Sequence, residues 1–415
     1  MKTTDMHKIK LIGPFTQLLT MDGLMVKGPL SDGQLEVIRD AGILVEGDIV
    51  LAVGAFRELR SLTPELEQVE GEYTVLPGLV DGHTHICWAG SRAADYGMRL
   101  SGYSYLDIAT RGGGIWSTVT HTRQATADTL AALTSRRANL QLGRGITTIE
   151  VKSGYGLDVA HELKMLTAIR EGAGSTRADL IPTCLAAHIK PKDFSGSNQD
   201  YLEYLVRELL PGVRSQGLAS RVDIYIDEGA FTPGEARYYL SEAAKLGFNL
   251  AVHAEQFSRG GVQVAVELGA WSADHLEAAT HEEISILAAS GVCPVALPGA
   301  SLGLGAGFAP ARKILDAGAS LAIASDWNPG SAPMGNLLMQ ASIIGVYEKL
   351  TMAETLAAVT FRAAQALHLN DRGILRPGML ADFIAFPCRD YQEILYNQGG
   401  IMPEKVWKRG KAVIT

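Results

Sequence analysis

The sequence predicts an α/β fold: a (β/α)₈ TIM barrel carrying a small β-sandwich domain assembled from both termini. Three observations predict it. From about Gly78 to Gly378 the chain alternates short aliphatic or β-branched runs with helix-length amphipathic stretches, the pattern of parallel βα units. Both ends read differently, as brief alternating runs broken by glycine. Ionisable residues recur at the ends of the apolar runs in the middle, where a barrel of this kind keeps its chemistry.

The first end holds "ILVEGDIVLAVGAF" (43–56), interrupted by Gly47 and Gly54, and the last holds "ADFIAF" (381–386) and "KVWKRGKAVIT" (405–415). Nothing between them has this texture, so residues 1–77 and 379–415 are expected to form one composite β domain, with the barrel, 78–378, inserted between them.

Eight strands are expected in the barrel, at 78–85, 145–154, 178–188, 221–228, 248–255, 272–277, 292–299 and 319–327. Helices such as 126–143 and 233–247 separate them. The alternative, a doubly wound open sheet, does not explain why His83, His85, Lys152, His188, Asp227, Glu228, His253, His275 and Asp326 all stand at or just past strand ends. The "GGG" at 112–114 follows no strand and is no dinucleotide loop.

At 415 residues and 47% hydrophobic, the chain can bury a barrel core and a companion domain. Its 37 basic and 45 acidic residues, net charge -8, argue against a nucleic-acid surface. No window offers the roughly 20 apolar residues of a membrane helix, and Met1 to Lys10 lacks the apolar core of a secretion signal. A cytoplasmic protein without nucleic-acid or membrane partners is expected. Cys87, Cys184, Cys293 and Cys388 are scattered without a CxxC pair and are expected to be buried as small hydrophobes.

His83 and His85 in "DGHTHICW" are two apart at a strand end, so both imidazoles leave on the same side. A catalytic mononuclear site needs further protein ligands and an open position for water. His253 in "NLAVHAEQ" and Asp326 in "LAIASDWNP" are the candidates, each ending a run in which a lone polar group is costly to bury. His253 alone also fits a hydrogen-bonded core histidine; the set of four favours a ligand. One divalent or trivalent transition metal, zinc or iron, suits three imidazoles and a carboxylate. It would activate a water and polarise an amide carbonyl. Asp326 and His275 in "SADHLE" are the expected acid–base pair, although His275 also suits a role limited to orienting the water.

With these residues placed, the chain resembles the amidohydrolase superfamily and, inside it, the imidazolonepropionase family. The resemblance spans nearly the whole chain and is most specific at 76–100, 111–119, 150–157, 252–257 and 325–333. It implies a single metal, since binuclear relatives commonly carry a carboxylated lysine at the end of the fourth strand, where this chain has Asp227 and Glu228. The implied substrate is 4-imidazolone-5-propanoate, a cyclic amide with a carboxylate tail, opened to N-formimidoyl-L-glutamate.

The resemblance further implies that His188 and Gln256 hydrogen-bond the substrate and that Asn328, Gly330 and Ser331 hold the product's carboxylate end. Arg92 offers a planar fork for a carboxylate, and Tyr155 a further donor; a surface ion pair is the other reading of Arg92. Lys152 either lines the pocket or pairs with an acidic neighbour. Homodimers are common among such barrels, an expectation by analogy.

Gln256 separates two readings. Related deaminases typically carry a glutamate three residues after the fifth-strand histidine, and Gln256 stands there. A neutral amide recognises an amide edge and cannot titrate, so Gln256 counts with Asp326 and His275 in the catalytic set while disfavouring deamination. Glu255 is expected to point away by strand alternation, with a rescue role left open. The competing readings are a deaminase acting on an amino-substituted ring and a non-catalytic scaffold. Ammonia release separates the first, bound metal the second.

Overall fold

The computed structural model describes residues 9–103 and 105–414. Strands β1 (Ile9–Leu19), β2 (Val37–Glu46), β3 (Ile49–Ala55), β4 (Leu66–Gln68) and β5 (Thr74–Pro77) come first. The barrel strands follow: β6 (Leu79–Asp81), β7 (Ile146–Lys152), β8 (Asp179–Ala187), β9 (Arg221–Tyr225), β10 (Asn249–Ala254), β11 (Ser272–His275), β12 (Cys293–Ala296) and β13 (Ala322–Ile323). β14 (Phe383–Phe386), β15 (Lys405–Lys408) and β16 (Lys411–Ile414) close the chain.

The two ends form one sheet in the order β16-β15-β14-β5-β1-β2-β3, with β4 beside β1. They meet where β14 pairs antiparallel with β5, Ile384 opposite Leu76. Alternating side chains of these strands enclose a core of their own, with Ile12, Phe15, Leu18, Ile43, Phe383 and Trp407 buried together and the Phe383 and Trp407 rings stacked at 4.7 Å. β1, the longest strand of this sheet, lies ahead of the strand texture expected from Ile43 onward.

All eight expected barrel strands are present, parallel and in chain order from β6 to β13. The expected helices are also present, as Ala127–Leu142 and Pro233–Lys245, each started by a threonine side chain (Thr126, Thr232) that accepts an N–H of the first turn. The first and last strands are shorter than expected: β6 ends at Asp81 and β13 at Ile323. Beyond them the chain leaves the ladder, and the barrel is closed by a single bridge, Thr84 to Trp327. Around it the His85 N–H donates to Trp327 O at 3.0 Å and the Asp326 N–H to His83 O at 3.0 Å. His275 (φ +90°), the last residue of β11, and Asp326 (φ +49°), three residues past β13, take left-handed backbone conformations, the kind of local strain that gathers where side chains must be aimed.

Asp179, at the start of β8, fastens the terminal sheet to the barrel. Its carboxylate accepts from Arg372 at 2.6 Å, Lys408 at 2.8 Å and Arg409 at 3.1 Å. All four cysteines are free and buried, as expected. Among the described residues no helix is long and apolar enough to cross a membrane.

Candidate metal centre and active site

The barrel seam decides where the first ligand candidates go. His83 and His85 leave the end of β6 toward the barrel axis, and their Nε2 atoms stand 3.3 Å apart. His253, on β10, brings a third imidazole, and one nitrogen from each of the three lies within 4.8 Å of the others. Asp326 reaches the group from past β13, with Oδ1 3.3 Å from His85 Nε2 and 3.6 Å from His83 Nε2. All four side chains are buried. His253 Nε2 has no hydrogen-bond partner among the described residues. A buried, unpartnered imidazole nitrogen beside two others and a carboxylate is a donor set that fits one transition-metal ion.

Each imidazole is prepared from behind. His83 Nδ1 lies 2.6 Å from Asp274 Oδ2, a hydrogen bond that suits a proton on Nδ1 and turns Nε2 inward, and His253 Nδ1 lies 3.0 Å from Asp223 Oδ2. Burial and the neighbouring Lys152 ammonium hold the His83 pKa well below the usual histidine value. Burial also lowers His253, to about 4, against the pull of Asp223. Both rings are thus kept in the neutral form that ligates metals.

Lys152 does not line the pocket; of its two expected roles, pairing is the one observed. Its Nζ sits 2.8 Å from both Glu150 Oε1 and Asp223 Oδ2, and 3.8 Å from Asp274 Oδ2. Asp223 and Asp274 are not among the residues expected from the sequence, although a carboxylate inside a buried apolar strand is a signal that a partner must be found. Asp227 and Glu228 take no part in the imidazole cluster. The Asp227 carboxylate accepts from the N–H groups of Phe257 and Glu228 and from Ser258 Oγ, bracing the loops after β9 and β10, and Glu228 is exposed at the pocket mouth.

The cluster forms one wall of a cavity of about 730 Å³, also lined by Arg92, Arg99, Tyr155, His188, Tyr225, Gln256, His275, Asn328, Gly330 and Ser331. That volume suits a small-molecule ligand. His188 Nδ1 is 3.0 Å from Gly154 O, which puts its proton there and leaves Nε2 as an acceptor. Burial lowers its pKa to about 3. Tyr155 packs beside the stacked His85 and His188 rings, its centroid 6.0 and 5.6 Å from theirs. Gln256 Oε1 accepts from Tyr225 Oη at 2.8 Å, directing its amino group elsewhere. Tyr225 is not among the residues expected from the sequence. His275 Nδ1 approaches Glu277 at 3.4 Å; burial opposes a proton there, and Glu277 outweighs burial to raise the pKa.

Arg92 and Arg99 line the same cavity. Arg92 Nε donates to Asp95 at 2.7 Å, and its Nη1 packs so closely on Gly330 that a Cβ at that position would lie 2.5 Å away. Arg99, absent from the sequence expectations, donates to the carbonyls of Gly303 and Gly330 at 3.1 and 3.0 Å. Asn328 Nδ2 donates to Asp326 Oδ2 at 2.9 Å, and its Oδ1 accepts the N–H groups of Gly330 and Ser331 at 2.7 and 2.9 Å. The N–H groups of Gly330 and Ser331, two of the residues expected at the product's carboxylate end, therefore already have a partner. Glu255 points away from the cavity, its carboxylate accepting from the Gly260 and Val262 N–H groups.

Imidazoles and a carboxylate converging at the C-terminal end of a (β/α)₈ barrel define a metal-dependent hydrolase of the amidohydrolase class, and the amidohydrolase family profile matches residues 74–413. The solved atrazine chlorohydrolase of Arthrobacter aurescens, in complex with zinc, shares this fold with a TM-score of 0.70 at 19% identity, over 98% of this chain and 95% of that one. Imidazolonepropionase of a Geobacillus species is 37% identical over 411 residues, covering 96% of both chains. Imidazolonepropionase of Bdellovibrio bacteriovorus is 38% identical, covering 98% of this chain and 97% of its own. The chain belongs to the imidazolonepropionase family of the amidohydrolases.

Proposed function

We propose that this chain opens the ring of 4-imidazolone-5-propanoate by hydrolysis, giving N-formimidoyl-L-glutamate in histidine breakdown. The observation that carries the reading is that one cavity is lined both by the imidazole–carboxylate cluster and by the cationic side chains of Arg92 and Arg99, a combination suited to a small anionic ring. Its family relatives bear the matching name.

His83, His85, His253 and Asp326 would hold one transition metal, zinc or iron, which when bound acidifies a water and polarises the amide carbonyl. Asp326 Oδ1 is positioned to take the water's proton, while Asn328 restrains the other carboxylate oxygen. His275, supported at Nδ1 by Glu277, is suited to deliver a proton from Nε2 to the departing ring nitrogen. Gln256, its oxygen committed to Tyr225, presents N–H donors to the ring, and His188 Nε2 accepts from it. Arg92 keeps its Nη groups for the carboxylate tail, with Tyr155 as a further donor and Ser331 Oγ beside the same end. Gly330 leaves room for the Arg92 fork, and Asn328 shapes the loop.

The division into a composite β domain, 1–77 with 379–415, and a barrel, 78–378, belongs to the same proposal and is supported by the terminal sheet's own apolar core. Cytoplasmic work fits four free, buried cysteines.

The test is to follow consumption of imidazolonepropionate together with ammonia. Ring opening consumes substrate and one water and releases no ammonia. Stoichiometric ammonia would favour a deaminase instead, a reading weakened by the commitment of Glu255 to backbone N–H groups.

A further inference from the structure

Directly behind the imidazoles, the barrel interior is ionic where layers of branched aliphatic side chains are usual. Lys152, Asp223 and Asp274 come from β7, β9 and β11, the second, fourth and sixth barrel strands, and none has any solvent exposure. Burying such a set is a poor way to gain stability, because desolvation offsets the attraction and a packed apolar layer does as well or better. Its value has to lie in placing something.

Three carboxylates radiate from the one ammonium. Asp223 Oδ2, 2.8 Å from Lys152 Nζ, is the same atom that faces His253 Nδ1 at 3.0 Å. Asp274 Oδ2, 3.8 Å from Nζ, faces His83 Nδ1 at 2.6 Å. Glu150 Oε1 is 2.8 Å from Nζ, and its Oε2 accepts at 3.2 Å from the N–H of Thr84, the residue between His83 and His85. Every arm ends on the backbone or a ring of the imidazole cluster, and none reaches the cavity.

We infer that Lys152 is a positioning residue for the metal site: through Asp223, Asp274 and Glu150 it fixes the tautomer and aim of His83 and His253 and the backbone between His83 and His85. This rests on the metal-site reading above. Without the ammonium, the carboxylates lose the cation that bridges them, Arg221 being buried nearby but in no ion pair with them, and the rings lose the geometry of their Nδ1 partners. Metal affinity should suffer, and capture of substrate by the metal-loaded enzyme should not.

The experiment compares wild type with Lys152→Met as purified holoenzymes, using Zn²⁺ competition against a chromophoric chelator and the visible spectrum after Co²⁺ substitution. Lys152→Met is expected to bind Zn²⁺ about 10- to 100-fold more weakly, with a changed Co²⁺ spectrum and a KM within about twofold of wild type at saturating metal. Unchanged Zn²⁺ affinity and an unchanged Co²⁺ spectrum would overturn the inference. Should Lys152→Met fail to fold, Lys152→Gln carries the test: weaker Zn²⁺ binding supports the inference, and wild-type affinity overturns it. A wild-type protein that takes up no Zn²⁺ or Co²⁺ defeats the metal-site reading itself, an outcome distinct from tight wild-type binding matched by the variant.

Discussion

Asp326 Oδ1 lies 3.3 Å from His85 Nε2 while Oδ2 of the same carboxylate accepts from Asn328 at 2.9 Å. One oxygen is thereby assigned to the imidazole cluster and the other to the loop. Asp326→Asn keeps the shape and removes both the negative charge and the proton-accepting oxygen. Turnover is expected to fall by about 10²- to 10⁴-fold, with circular dichroism and Tm close to wild type. Near-normal kcat would remove Asp326 from the catalytic set.

Arg92 has one donor engaged by Asp95 and its remaining fork beside Gly330. For Arg92→Ala, KM for imidazolonepropionate is expected to rise about 10- to 100-fold, the worth of a charge-assisted hydrogen bond, with kcat changed far less. An unchanged KM would make Arg92 an ion-pair partner for Asp95 and nothing more.

Gln256 tests the choice of reaction. Gln256→Glu preserves an oxygen for Tyr225 but loses the amino donors and introduces a negative charge facing the ring. Hydrolysis of imidazolonepropionate is expected to drop by about 10²-fold in kcat/KM, the cost of a lost donor to the substrate plus a misplaced charge. Tyr225→Phe, which frees the Gln256 amide to rotate, is expected to cost about 3- to 10-fold on the same assay. Wild-type rates in both variants would take the amide out of the mechanism.

These residues differ in how visible they are in one dimension. His83, His85, His253 and Asp326 each end an apolar run, so strand polarity alone sends them to one rim. Glu255 and Gln256 were separable by alternation, and the structure agrees. Asp223 and Asp274 are hidden in the sequence because their partners, Lys152 and two imidazoles, come from other strands, and strand register fixes those distances where sequence spacing does not. The same limit applies to the seam: β6 and β13 were expected to run to the ligands, but the backbone bends out of the ladder to aim them, and β-propensity carries no sign of that bend. Arg99 has no local signature either, since both carbonyls it reaches lie more than two hundred residues away.

Asp179 supplies a prediction about stability that the active site does not touch. Burial pushes its carboxyl up, but Lys408 and Arg372 outweigh burial and hold its pKa below the ordinary aspartate value. A folded-state pKa below the unfolded value, about 3.9, means that the unfolded chain binds the proton more readily. Stability from Asp179 is therefore fully present above the unfolded pKa and is lost as pH falls through the folded one. Asp179→Asn should lower stability at pH 7 by about 1–3 kcal/mol, the range for hydrogen bonds to charged groups at a partly buried site. Because Asp179 joins the terminal sheet to the barrel, the loss should also favour separate unfolding of that sheet. Melting curves of wild type and Asp179→Asn from pH 7 down to pH 3 check both points: the gap in Tm should be constant to about pH 5 and narrow below about pH 4. A gap that persists undiminished at the acid end would show that the substitution acts through packing, with the charge on Asp179 contributing nothing.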